Sequence, residues 1–446
     1  LSKINDIQLN NIQVNGLHSN KNEVLALITT ISLDSVETFG VSCLALALGV
    51  FLAKRVSFLH RYNLPSSVVG GLSLCLLLLS LRKLQLVEIS FTKSFADPLM
   101  YTFFASIGFA ASIDTLKKGG IAALTFLAAC SIFTVFQNVL GVAIASVFDL
   151  HPLFGVLTGS VALAGGPGTA LAFAKDFEAV GVQGAEVAAI SAALSGIMIG
   201  GITGTPLATR LISKLKTNDL SSVKPMAKKP NLSGSIAISD DSGLDSCEQT
   251  DDQDSLVPKN LASELLRHVI ILGLVLWAGL YISRGLDSIG MKLPGYIGAM
   301  IAAAILRNFG NRTPALKIHM GIMDDLGSIS LALFLSMALV SLEIWKIADV
   351  ALPLVVILIA QTAAVLAGAY WVIFKWSGRN YDAAVISAGF VGFMMGTTAN
   401  AMTNMRALAD RYGFSAKAFL IVPIVGACFI DFVNATIINI FLNIFR

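Results

Sequence analysis

Apolar runs of spanning length recur along this chain, separated by short polar connections. Those near residues 36–53, 64–81, 96–112, 119–147 and 184–209 predict membrane helices, and a second set follows near 265–283, 294–306, 318–342, 350–374 and 418–442. Two segments break the pattern. Residues 160–174 (SVALAGGPGTALAFA) and 387–405 (SAGFVGFMMGTTANAMTNM) are apolar and nearly uncharged, yet their glycines weaken helix propensity and Pro167 removes a backbone donor. Irregular backbone at membrane depth is tolerated only where it is buried in protein or lines a protected cavity, so both predict re-entrant segments around a site for a small solute or ion.

The two sets also match each other. Leu64-Pro65, opening one helix, recurs as Leu293-Pro294, and Gly168-Thr169 recurs as Gly396-Thr397 at nearly the same offset. Gln137 and Gln361 precede those Gly-Thr pairs at a looser spacing. Five spans per half is an odd number, so the halves enter the membrane in opposite orientation as an inverted repeat. The fold expected is an all-α polytopic membrane protein: ten spanning helices in two inverted five-helix repeats, each with a re-entrant segment.

Charge orients that topology. The loops holding Lys54, Arg55 and Arg61, Lys117 and Lys118, Arg210 to Lys259, Arg307 to Lys317, and Lys375 to Lys417 fall on one side. The positive-inside rule makes it cytoplasmic, with both termini outside. Residues 213–262 form the one long polar connection, basic at first (KPMAKKP) and then acidic and serine-rich, with the composition of a disordered cytoplasmic linker. The organisation expected is a polar lead-in over 1–35, a first repeat over 36–212, the linker over 213–262 and a second repeat over 263–446. The first 22 residues are polar and lack a basic cluster before an apolar core, which argues against a cleaved signal peptide there.

Composition narrows the function. With 55% hydrophobic and 13% charged residues, the chain has too few charges for a soluble surface, and a net charge of +3 without a basic aromatic stripe implies no nucleic-acid partner. Its five cysteines, Cys43, Cys75, Cys130, Cys247 and Cys428, form no C-x-x-C pair and read as small hydrophobes. No P-loop, H-E-x-x-H or Ser-His-Asp arrangement is present. The chain therefore reads as a transporter driven by an ion gradient, with no enzymatic activity and no organic cofactor.

The candidate chemistry lies in the interrupted segments. In Gly165-Gly166-Pro167-Gly168-Thr169 the glycines permit close backbone approach, and a helix starting just beyond directs N–H groups toward an anion. Tight helix packing through small residues is the plainer reading of the same glycines. Gly396, Thr397, Thr398, Asn400, Thr403 and Asn404 supply uncharged oxygens suited to partly dehydrated Na⁺, or else hydrogen bonds between helices. Asp431 and Asn434 stand three residues apart in an apolar helix, hence on one face, and a carboxylate at that depth is a functional candidate. Arg406 is a candidate partner for a substrate carboxylate, or simply marks the cytoplasmic end. Asp324 and Asp325 point in different directions, one suited to the helix end and the other left as a candidate for an ion path, and Glu186 suits helix-end placement.

Ordered stretches across residues 36–445 carry a further signal: LPSSVVGGL at 64–72, DPLMYTFFASIGFAASI at 97–113, LAGGPGTALAF at 163–173, GGITG at 200–204, LSMALVSLEIW at 335–345, GRNYDAAVISAG at 378–389, GTTANAMTNM at 396–405 and FLIVPIVGACFIDFVNA at 419–435. By these the chain resembles the bacterial glutamate:sodium symporter family. The resemblance implies an inner-membrane importer of L-glutamate coupled to Na⁺, a homodimer in the lipid bilayer that works by an elevator-type movement. It makes 165–169 and 396–400 the re-entrant tips, with Asp431 and Asn434 near them. Gly165, Gly166, Gly168, Thr169, Gly396, Thr397, Thr398 and Arg406 become the expected glutamate-binding set. Asn400, Thr403, Asn404, Asp431 and Asn434 become the expected sodium-binding set. Pro167 stands where the resemblance leads one to expect histidine, and Ala399 where it leads one to expect proline. Transport of another dicarboxylate or amino acid with Na⁺ or H⁺, an ion channel, and a membrane scaffold that uses the linker are the alternatives.

Overall fold

The structure, a computed structural model, describes residues 29–56, 64–84, 87–215, 261–288, 294–310, 318–342 and 351–445. Most of the expected 213–262 linker, the tail up to residue 28 and Leu293 lie outside the described residues.

The protein is an all-α polytopic membrane protein. Its helices are α1 (Ser35–Arg55), α2 (Ser66–Lys83), α3 (Ala96–Ala110), α4 (Ile113–Val147), α5 (Pro152–Val156), α6 (Gly166–Ala179), α7 (Ala185–Ile212), α8 (Leu261–Ser288), α9 (Gly295–Gly310), α10 (Met320–Val340), α11 (Ala351–Gly368), α12 (Tyr381–Met394), α13 (Thr398–Tyr412), α14 (Ala416–Cys428) and α15 (Ile430–Ile444). Seven of these spans are long and apolar enough to cross a bilayer, α11 being extended through a π-turn to Trp376, and the α14–α15 pair, bent by 41°, makes an eighth. The expected spans near 96–112 and 294–306 are the short helices α3 and α9, of 15 and 16 residues. At 1.5 Å per residue they reach about 24 Å, less than the roughly 30 Å of a hydrocarbon core. One feature has no counterpart in the sequence expectation: β1 (Thr29–Leu33) and β2 (Val87–Phe91) pair in parallel, Thr29 opposite Val87 through Leu33 opposite Phe91.

Local chemistry sets several helix ends. Asp34 and Glu37 form a reciprocal capping box at the start of α1, and Lys54 and Arg55 close its last turn, where cations favour the dipole. Asn380 caps α12 and Ser415 caps α14. Glycines let backbones meet. A Cβ at Gly70 would lie 1.9 Å from the Ala45 carbonyl oxygen, so α1 and α2 cross in direct backbone contact, as small residues allow within a bilayer.

Helix packing falls into two groups. α1, α2, α3, α8, α9 and α10 pack on one another, as do α4 to α7 with α11 to α15. Fewer contacts join the groups, chiefly α6 with α10 and α14 and α15 with α3.

Candidate functional site

Two helix–break–helix units face each other inside the second group. In the first, α5 runs into a π-turn at Leu157–Val161, where Gly159 leaves the helical region (φ −92°, ψ −120°), and α6 begins anew at Gly166 with φ +67°. In the second, α12 ends at Met394 and α13 begins after Thr397, whose side chain accepts from the Asn400 N–H. The breaks touch. A Cβ on Gly166 would lie 3.4 Å from Thr397 Cγ2 and 3.6 Å from the Gly396 carbonyl oxygen, ordinary van der Waals contact, so the two breaks adjoin and it is the positive φ that calls for glycine there. The starts of α6 and α13, with their positive dipole ends, thus converge on one place.

Behind the breaks lies a network of buried amides. Gln137 of α4 donates through Nε2 to the Met394 carbonyl at 3.2 Å, satisfying the end of α12. Gln361 of α11 donates to the Gln137 carbonyl at 2.7 Å. Asn138 Oδ1 accepts from the Ser160 N–H at 3.2 Å, and Asn434 Nδ2 donates to the Ser160 carbonyl at 3.1 Å, so the interrupted turn before α6 is held from two helices. All five side chains are buried. Yet Gln137 Oε1, Gln361 Oε1, Asn434 Oδ1 and Ser160 Oγ find no hydrogen-bond partner. Asn138 Nδ2, a donor of the same network, is likewise unpaired. A buried polar group left without a partner costs about 1–3 kcal/mol, so this network behind the two breaks has capacity for further polar partners.

α15, which holds the interrupted turn through Asn434, also carries Asp431. It sits in the first turn of α15, just past the bend, where the dipole of a restarted helix favours a carboxylate, and it forms no ion pair among the described residues. Asn434 follows one turn later on the same face. Oxygen donors of this kind, amide, hydroxyl and one carboxylate, suit a hard monovalent cation such as Na⁺. No group of three or more His, Cys, Asp or Glu side chains that would hold a transition metal occurs among the described residues.

The other expected site residues separate. Gly165, Gly166, Gly168 and Thr169 lie at the first break and Gly396, Thr397 and Thr398 at the second. Gly168 is roofed by Leu331 and Phe103. Asn400 and Asn404 staple α13 to α7: their amides donate to the Ile197 carbonyl at 2.7 Å and the Gly200 carbonyl at 3.0 Å, and Asn404 Oδ1 also accepts from Thr205 at 3.2 Å. Thr403 and Arg406 stand on the exposed stripe of α13. Arg406 is about 12 Å along the helix from its start, at 1.5 Å per residue. Glu186 pairs with Lys93 at 3.4 Å at the start of α7, and Asp324 and Asp325 fall in the second turn of α10.

Asn138 and Ser160 were not legible as site residues, and Gln137 and Gln361 only as a loose repeat match. The signal was available: a Gln-Asn pair inside an apolar span is costly unless it has partners. Gln137→Leu is expected to raise the Na⁺ concentration for half-maximal uptake roughly tenfold, equivalent to about 1.4 kcal/mol, in a sodium titration of proteoliposomes. An unchanged sodium dependence would limit Gln137 to joining helices.

Comparison with known proteins places this architecture. A family model described as sodium/glutamate symporter matches residues 31–414. The sodium/glutamate symporter of Escherichia coli (strain K12) is 36% identical over 411 residues, covering 92% of this chain and 98% of that protein. The sodium/glutamate symporter of Haemophilus influenzae is 33% identical over 408 residues, covering 91% of this chain and 96% of its own length.

Proposed function

This chain belongs to the sodium/glutamate symporter family, and on that premise we propose that it carries L-glutamate across the bacterial inner membrane together with Na⁺, as a homodimer. The observation that carries the reading is the pair of apposed breaks backed by buried, unsatisfied oxygens. The proposed topology has ten spans in two inverted repeats. α5–α6 and α12–α13 are its re-entrant segments, and both termini lie outside with the 213–262 linker in the cytoplasm. Support comes from the shortness of these helices, the paired recurrence of α2–α6 and α9–α13 along the chain, and the basic loops of one side.

Each part of the site has a physical task. Na⁺ replaces part of its hydration shell with Asp431, Asn434 Oδ1, Ser160 Oγ and the two glutamine oxygens, which relieves their desolvation as it binds. Its positive charge, added to the dipole ends of α6 and α13, makes the region between Gly166 and Thr397 favourable for the glutamate carboxylates. The substrate then bridges both breaks, with Thr169 and Thr398 hydroxyls as further partners. Without Na⁺ the anion faces the unscreened Asp431, which couples the two bindings. The second helix group acts as the moving body and the first as its support, an elevator-type alternation for which the support is the division of helix packing into two groups.

The test is uptake of radiolabelled L-glutamate into liposomes holding the purified protein, under inward Na⁺, K⁺ or H⁺ gradients, with unlabelled aspartate and other dicarboxylates as competitors. Accumulation that requires Na⁺ and is blocked chiefly by glutamate supports the reading. Sodium-driven uptake blocked better by another carboxylate would move the substrate assignment, with Pro167 and Ala399 the first residues to test. Flux without fixed stoichiometry would mean a channel.

A further inference from the structure

Three polar contacts cross between the two helix groups at one end of the molecule. Lys175 Nζ of α6 donates to Asp97 Oδ1 of α3 at 2.7 Å. Next to it on α6, Asp176 Oδ2 accepts from the Tyr296 hydroxyl of α9 at 2.6 Å. Lys93, just before α3, pairs with Glu186 in the first turn of α7 at 3.4 Å. The Tyr296 ring is 3% exposed and packs against Phe104 of α3 and Phe173 of α6, with ring centroids 4.7 and 5.2 Å away. α6 is therefore clamped to the first group by its side chains along its whole outer half.

α13, the second helix of the other break, is not treated alike. It packs chiefly on α7, α12 and α14 of its own group, and its stripe of Thr403, Arg406, Ala407 and Asp410 is exposed. The asymmetry has a direction. One flank of the site is closed against the supporting helices and the opposite flank is open.

We propose that Tyr296–Asp176, with Asp97–Lys175 and Lys93–Glu186 around it, is a latch that holds the transporter closed on the α6 side and open on the α13 side, and that opens once in each transport cycle. The proposal rests on the reading of the two helix groups as bodies that move against each other. Under the topology above, the latched end faces outside, so the conformation is open to the cytoplasm. The three contacts divide the task. The Asp97–Lys175 pair, 57% and 40% exposed, is screened and guides reclosure. The Tyr296–Asp176 bond is shielded and charge-assisted, and it fixes the resting population. Asp176 lies about two turns from Thr169 on the same helix, so opening the latch and moving the tip are one event.

The experiment reads conformation and transport on the same full-length protein. In a background with the native cysteines replaced by serine, Ala407→Cys reports exposure of the α13 stripe through its labelling rate with an impermeant maleimide. Tyr296→Phe removes one hydroxyl and keeps the ring. It is expected to slow labelling at 407 at least threefold and to change the rate of glutamate exchange, while glutamate affinity in detergent stays within twofold once corrected for the shift. Asp97→Lys and Lys175→Asp should each shift labelling the same way, and the two together should restore it. If Tyr296→Phe and both single charge variants label at the parental rate in protein that still transports, the latch is wrong although the moving-body reading stands. If labelling at 407 in the parental background ignores both Na⁺ and glutamate during active uptake, the moving-body reading fails and the latch with it.

Discussion

Asp431→Asn protein is expected to insert and fold normally and to lose sodium-driven glutamate uptake by roughly a hundredfold at limiting Na⁺, the equivalent of about 2.7 kcal/mol. The substitution keeps the size of the side chain and removes the formal negative charge that α15 carries one turn before Asn434, on the same helix face. Neutral oxygens alone coordinate a dehydrated cation weakly, and the dipole of α15, which favours a carboxylate at that point, opposes a cation once the carboxylate has gone. Folding should not suffer, because Asp431 forms no ion pair among the described residues that an asparagine would break. The check is a sodium titration of uptake next to a melting curve taken without Na⁺. A variant that melts as the parent and keeps the parental sodium dependence would remove Asp431 from the site. Without Na⁺ the carboxylate has the α15 dipole in its favour and its burial against it, so the variant should melt close to the parental temperature.

Gly155→Ala is expected to have the larger effect on stability, on the order of 4 kcal/mol, seen as a fall of about 5–10 °C in apparent Tm and poor recovery from the membrane. A Cβ at Gly155 would stand 1.9 Å from the Gly141 carbonyl oxygen and 2.6 Å from the Val142 nitrogen. Both are backbone atoms of α4, so no rotamer change relieves the clash and α5 must lift away. α5 leads into the turn at Ser160, and α4 carries the Gln137 and Asn138 that hold the two breaks, so the lift also dismantles the site. Gly201→Ala is the matched comparison. It sits in the interior of α7 with nothing within 4 Å of its missing Cβ, and alanine there should raise stability by up to about 1 kcal/mol through helix propensity alone. Equal effects of the two substitutions would show that helix propensity, rather than the α4–α5 contact, decides stability here.

Much of this protein is written in its one-dimensional pattern. The long apolar runs gave helices at α1, α2, α4, α7, α8, α10 and α11, because in a bilayer every backbone group must be bonded within its own segment and only a helix achieves that locally. The two glycine-rich interruptions marked where helices stop, since glycine and proline weaken a helix whatever surrounds it. Asp431 and Asn434 were legible for a similar reason: a carboxylate and an amide in an apolar helix are costly anywhere in lipid.

The sequence had less to say about pairing. That Gly166 meets Thr397, that Asn434 holds the Ser160 carbonyl from 274 residues away, and that Asn400 and Asn404 are taken up by α7 depend on which faces of distant helices meet. Spacing along one helix fixes a face but not its neighbour. The same limit hid Tyr296–Asp176, for a tyrosine opening one short helix and an aspartate near the end of another become a contact only when α6, α3 and α9 assemble. Sequence determined by itself the membrane-spanning class, the two interruptions and the polar residues that need partners, because these follow from local solvation and backbone hydrogen bonding. Tertiary structure alone decided which of those polar groups satisfy one another and which are left without a partner, because satisfaction is a property of pairs brought together by packing.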